Sequence, residues 1–211
     1  MNSLVIVGAG GLAKQLLPQI IRLTHSNKAF YDSGVVDIKL MNYFPVLSNE
    51  NELLAWLKRN DAVQSFDFLL AIGKPNLRKY FFSNLTLNKG KCLGLTDLTS
   101  QDTLFTEVED SAMLMPEVYL ESFVKIGRGT LVNVRAQIHH EVEIGDFCEI
   151  GPGAILLGGV KIGHETFIGA QATVLPGIIL GNNVTIGAGA IVTKNFPDNV
   201  KIAGNPAKII H

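Results

Sequence analysis

Residues 126–156 read IGRGTLVNVRAQIHHEVEIGDFCEIGPGAIL, and an aliphatic residue returns at every sixth place: Ile126, Val132, Ile138, Ile144, Ile150 and Leu156. A helix repeats every 3.6 residues and a strand alternates every two, so neither produces a strict six. Counting outward in both directions keeps the register unbroken from Val108 to Val192, over fifteen aliphatic positions, seven of them followed directly by glycine. A hexapeptide repeat of this kind predicts a parallel β-helix, in which three hexads make one triangular coil. Fifteen hexads give about five coils of 18 residues. Because the register never slips, no long loop leaves the stack, and any chemistry must sit on corner residues of the wall itself.

The same register assigns the small residues. Ala136, Ala154, Ala172 and Ala190 stand two places before an aliphatic position and fill the inner corners, and Cys148 stands in an equivalent place before Ile150. Cys92 and Cys148 show neither disulfide nor metal spacing. Beyond Asp198 the tail KIAGNPAK (201–208) is expected to cap the stack, because an open end exposes unpaired backbone.

The N-terminal half has a different rhythm. Leu4-Val5-Ile6-Val7 is a continuous apolar run, as in a strand buried on both faces, and Gly8-Ala9-Gly10-Gly11 leads from it into a helical stretch ending near Leu23. Gly34-Val35-Val36-Asp37 reads as a second strand ending in a carboxylate. Glu50–Asn60 reads as a helix with Leu53, Leu54 and Leu57 on one face, residues 66–73 as a third strand running into Gly73, and Pro75–Leu87 as another helix. Alternating strands and helices predict a small parallel α/β domain. The fold class is therefore an α/β Rossmann-like half domain over residues 1–105, followed by a parallel β-helix with its cap over 106–211.

Gly8-x-Gly10-x-x-Ala13 between a strand and a helix matches a dinucleotide fingerprint. About 100 residues and three expected strands supply only one mononucleotide half, so a nucleotide or nucleotide-sugar fits better than NAD. Asp37 could accept hydrogen bonds from a ribose or base, and Gly73 would let a ligand approach closely. The glycines could equally serve turn geometry alone.

Among 211 residues the formal net charge is −1, with 47% hydrophobic and 18% charged residues. That balance gives no electrostatic reason to bind nucleic acid or a membrane surface. No apolar run is long enough to span a bilayer, and the start lacks the basic segment and cleavage site of a signal peptide. A cytoplasmic location is expected.

His139 and His140 directly follow Ile138, at a corner, among Asn133, Glu141, Glu143 and Glu149. A neutral histidine oriented by a carboxylate is a suitable general base near neutral pH. The same histidines could simply be solvated, and no third ligand stands at metal spacing. His25, His164 and His211 lack such surroundings and read as surface residues.

The segments GAGGLAK, VVD, AIGKPNLRK, NVRAQIHHEVEIGDFCEIGPGAILLGGVKIG and AGNPAK together resemble the sialic-acid O-acetyltransferase-like family of bacterial sugar acyltransferases. The members most similar to them N-acetylate UDP-linked 4-amino-sugars of the bacillosamine type, and GDP-perosamine N-acetyltransferases are relatives. The resemblance implies a left-handed β-helix and a homotrimer with acetyl-CoA between adjacent β-helices; from the residues, no metal is expected. It implies a catalytic base at His140, with Glu141 and Asn133 as partners, and a thioester contact at Gly158. It places coenzyme A against Glu149, Ala170 and Ala188. The nucleotide-sugar would rest on Gly10, Gly11 and Leu12, on Asp37, Ile38 and Lys39, and on Gly73 and Lys74. Two positions depart from the family: Glu149 stands where a second histidine is common, and His139 where an acidic residue is common. The expected activity is transfer of acetyl to the amine of a nucleotide-linked 4-amino-4,6-dideoxy sugar for surface glycan synthesis. A sugar O-acetyltransferase and a noncatalytic nucleotide-binding scaffold stand as alternatives.

Overall fold

A computed structural model describes residues 3–34, 40, 42–96 and 105–210. By backbone contacts the chain forms two compact units, residues 1–73 with 80–93, and residues 74–79 with 94–211.

The first unit is built on a parallel sheet of β1 (Ser3–Val7), β2 (Asn27–Tyr31), β3 (Val46–Leu47), β4 (Phe66–Leu70) and β5 (Gly90–Cys92), in the spatial order β3-β2-β1-β4-β5. All five residues of β1 are buried, as a central parallel strand covered on both faces requires. Helix α1 (Gly11–Arg22) buries Ala13, Leu16 and Ile20, at helical spacing. Helix α2 (Glu50–Arg59) begins at Asn49, whose side chain accepts the Glu52 N–H at 3.0 Å, while Glu52 reaches back to the Ser48 N–H at 2.7 Å. These reciprocal bonds satisfy donors that a helix start otherwise leaves open. Helix α3 spans Pro75–Leu87.

Three expectations are corrected here. The second strand is Asn27–Tyr31, ahead of the Val35-Val36 pair, and residues 35–39 lie outside the described residues. The sheet has five strands, because β3 and β5 add edges of two and three residues. On α2 the buried face is Leu53, Trp56 and Leu57, with Leu54 turned to solvent.

The second unit is a three-walled parallel β-helix. Wall 1 carries Val108, Ile126, Ile144, Ile162 and Leu180; wall 2 carries Leu114, Val132, Ile150, Ile168 and Ile186; wall 3 carries Leu120, Ile138, Leu156, Val174 and Val192. Each strand pairs with the one 18 residues on, so all the expected aliphatics fall in one stacked core, together with the four expected alanines and Cys148. At the corners, the third residue after an aliphatic position adopts a left-handed backbone, as in Phe123, Glu141, Phe147 and Glu165, or glycine as in Gly159 and Gly177. Wall 2 is the longest. Leu95–Thr96 starts it, and the antiparallel pair Lys201–Ala203 and Lys208–Ile210 closes it, which is the expected cap.

Candidate active site

In the first unit the glycine loop is tightly set. Gly8 has φ +100°, and a side chain there would collide with the Ala71 carbonyl and with Ile72. Gly10 caps α1 and Gly11 begins it, with Leu12 half-buried behind them. A Cβ on Gly10 or Gly11 would meet nothing within 4 Å, so these two glycines leave the helix start bare. The carboxylate at the end of β2 is Asp32, a residue that the sequence reading missed. Its Oδ2 accepts the Ala9 N–H at 2.7 Å and its Oδ1 accepts the Gly34 N–H at 2.8 Å. One amide of the loop is thereby already held by a carboxylate, which disfavours a phosphate at that amide. Asp37, Ile38 and Lys39 lie outside the described residues. Gly73 follows β4 by three residues, and Lys74 caps α3 by accepting the Arg78 N–H at 3.0 Å.

In the second unit the corner between walls 3 and 1 carries the histidines. His140 Nδ1 lies 3.1 Å from Glu141 Oε2, and both side chains are exposed. With Glu141 ionised, Nδ1 carries the proton and Nε2 offers its lone pair. The ring lies beside Gly158, one coil on, where any Cβ would collide with the imidazole. The Gly158 N–H has no acceptor among the described residues. His139 Nδ1 lies 3.0 Å from Glu121 Oε1, and Glu121 Oε2 accepts the His140 N–H at 2.8 Å. Burial works to raise the Glu121 carboxyl, but the His140 amide and His139 overcome it and hold it below the usual carboxylate range. Sequence reasoning missed Glu121, although counting back one coil from His139 reaches it.

Asn133 is brought to a different corner, between walls 2 and 3. Its Nδ2 donates to the Ile150 carbonyl at 3.0 Å. Glu149 faces outward on wall 2, where burial pushes its carboxyl above the usual range against the opposing pull of Arg78 and Asn133. Arg78, fully buried, donates from Nε to the Gly129 carbonyl at 2.6 Å. Glu149 and Lys74 line one polar cleft of about 670 Å³ with Asn76, Phe167, Asn183 and Thr185. Ala170 and Ala188 stack on the same corner as Asn133, and Gly189 beside them leaves open space. A larger hollow of about 800 Å³ runs along wall 1, floored by the pairs Lys125–Glu107 and Lys161–Glu143, and holds none of the expected site residues.

No group of three or more His, Cys, Asp or Glu residues able to hold a metal occurs among the described residues, and no described helix is long and apolar enough to cross a membrane.

Comparison with known proteins matches residues 3–85 to the PglD N-terminal domain, residues 123–158 to the bacterial transferase hexapeptide (six repeats), and residues 159–194 to the hexapeptide repeat of succinyl-transferase. Curated protein sequences give no match. Solved structures give several. PerB from Caulobacter crescentus, in complex with CoA and GDP-perosamine, is 25% identical over 100% of this chain and 98% of that one, with a TM-score of 0.86. The acetyltransferase domain of PglB from Neisseria gonorrhoeae, in complex with acetyl coenzyme A, is 27% identical over 100% of both chains, with a TM-score of 0.84. WeeI from Acinetobacter baumannii is 25% identical over 100% of both chains, with a TM-score of 0.78.

Proposed function

The chain belongs to the bacterial sugar N-acetyltransferases built from a PglD-type N-terminal domain and a left-handed hexapeptide β-helix, and we propose that it acetylates the amine of a nucleotide-linked 4-amino-4,6-dideoxy sugar with acetyl-CoA. The observation that carries this reading is the stacking of His140 on Gly158 with its Nδ1 turned to Glu141. One imidazole nitrogen is engaged, the other is available as a base, and a free backbone donor lies one coil away.

The sugar amine attacks the thioester carbonyl carbon, forming the C–N bond. His140 Nε2 takes the proton from that nitrogen, while Glu141 stabilises the resulting imidazolium. The Gly158 N–H would stabilise the oxyanion. As the C–S bond breaks, the His140 proton passes to the departing sulfur, which leaves an amide and a free thiol.

The stacked Ala170 and Ala188 give a bare corner suited to the thin pantetheine arm of coenzyme A, and it lies on the opposite edge of wall 3 from His140. One ligand meets both corners most simply when they come from neighbouring copies, which supports a homotrimer with shared grooves. The outward residues of wall 3 agree. Tyr119, Gln137, Ile155, Thr173 and Ile191 carry no charge, unlike the Glu–Lys ladder of wall 1. A nucleoside diphosphate carrier fits the open start of α1. The uridine form is the expectation from sequence, and the guanosine form is carried by the Caulobacter ligand.

The test is a thiol-release assay with acetyl-CoA and a panel of UDP-, GDP- and dTDP-linked amino sugars, with hydroxyl-only analogues as controls. Amine-dependent thiol release and a hydroxylamine-stable product are expected. Release with the hydroxyl analogues alone, or with no acceptor in the panel, overturns the reading.

A further inference from the structure

We propose that Glu121 is a positioning residue for the His140 base, acting through the His140 peptide and through His139. The inference rests on the reading of His140 given above.

Glu121 stands one coil before the histidine pair, and its two carboxylate oxygens go to consecutive residues. Oε2 takes the His140 N–H at 2.8 Å, and Oε1 meets His139 Nδ1 at 3.0 Å. Tyr119 donates its hydroxyl to the same Oε1 at 3.3 Å, and its ring meets the His139 ring edge-on at 6.1 Å. The peptide that follows His140 is also fixed, because the His140 carbonyl accepts the Gly159 N–H at 2.9 Å. The backbone of the base is therefore gripped from the coil before and the coil after. The Gly158 N–H, which occupies the equivalent place one coil on, has no such acceptor among the described residues.

The arrangement divides the two histidines by role. His139 is turned toward the preceding coil and engaged by a carboxylate, while His140 lies over Gly158 with Glu141 at its Nδ1. Without the Glu121 carboxylate, the His140 N–H loses its acceptor and the His139 ring loses its anchor. The corner can then rotate, and a displacement of about 1 Å at a catalytic base lowers turnover by roughly 10²-fold. Glutamine at this position keeps an oxygen for the His140 N–H and presents an amide N–H to His139, so it preserves the grip without the charge.

The test compares E121A, E121D and E121Q in the full chain, with kcat and both KM values from the thiol-release assay and thermal melts as a check on folding. E121A is expected to lower kcat by about 10- to 100-fold with both KM values within about threefold of wild type, and E121Q to restore kcat to within about threefold. If E121A melts too low to assay, E121D serves: its shorter arm cannot span both partners, and kcat falls at least about fivefold. Wild-type kcat in E121A or E121D overturns the inference, as does a change confined to KM for acetyl-CoA, or an E121Q as slow as E121A. H140A is run in parallel. An active H140A removes the base assignment itself, whereas an inactive H140A beside an unaffected E121D removes only the role of Glu121.

Discussion

The imidazole of His140 occupies the place where a side chain on Gly158 would begin, eighteen residues further along and one coil away. Glycine at 158 is thus a steric requirement of the histidine. G158A is expected to fold, because the clash is met by rotating an exposed ring rather than by opening the stack. It displaces the base and lowers kcat by roughly 10²-fold. H140A removes the base and lowers kcat by about 10²–10⁴-fold while binding of both substrates survives. Kinetics and circular dichroism on both variants check this, and wild-type turnover in G158A would show that the contact is incidental.

Glu141 reaches His140 from a left-handed backbone with φ 60°. E141A keeps the unfavourable conformation and loses the bond to Nδ1, so kcat falls while stability barely moves. E141G loses the same bond but relieves the backbone, so it melts higher than E141A at equal activity. Calorimetry of the pair separates the two effects.

Burial holds the Glu149 carboxyl above its ordinary value of 4.5. A carboxyl raised in the folded state binds its proton more tightly there than in the unfolded chain. Its favourable contribution is present at low pH and is lost as pH rises through the folded value. At neutral pH the ionised group therefore costs stability, and E149Q is expected to raise Tm by roughly 1–4 °C. The gain disappears when melts are repeated below the ordinary carboxylate range. A gain that persists at low pH would assign the effect to packing instead.

Asp32 holds the Ala9 amide of the glycine loop. D32A frees that amide and loosens the loop, so KM for the nucleotide-sugar rises several-fold while KM for acetyl-CoA stays level. D37A, tested beside it, shows which carboxylate serves the nucleotide. A change in acetyl-CoA KM with D32A would detach the loop from substrate binding.

Burial pushes the Cys148 thiol up to about 12. Cys92 is buried as well. A disulfide reagent at pH 8 is expected to find no reactive thiol in the native protein and two after denaturation.

Much of the second unit was legible from residue order, because a strict period fixes which side chain faces inward, which corner each polar residue occupies and which residues stack. His140 over Gly158 follows from a difference of eighteen. The same arithmetic reaches Glu121, but a glutamate on an outer corner carries no mark of its own until its two oxygens are seen to be used. The first unit was less legible. Val35-Val36 resembles a strand more than Asn27-Lys28-Ala29 does, yet the pairing with β1 selects the latter, which moves the terminal carboxylate from Asp37 to Asp32. Arg78 is fully buried and donates to Gly129, 51 positions away, and no local pattern announces a contact of that range. Trp56 and not Leu54 joins the buried face of α2 because positions 53, 56 and 57 stand at i, i+3 and i+4.

The pairing of each strand with the one eighteen residues on, kept up to Val192 and shortened to sixteen only at the closing step from Thr185 to Lys201, also makes the stack a ruler. Each added coil raises the chain by one inter-strand spacing, about 4.8 Å, so the height from the His140 corner to the closing strand at Lys201 comes only in whole graduations. A ligand in the proposed groove would be measured against that scale. Lengthening or shortening its reach means inserting or deleting a complete turn, since any other change would throw every later corner out of line.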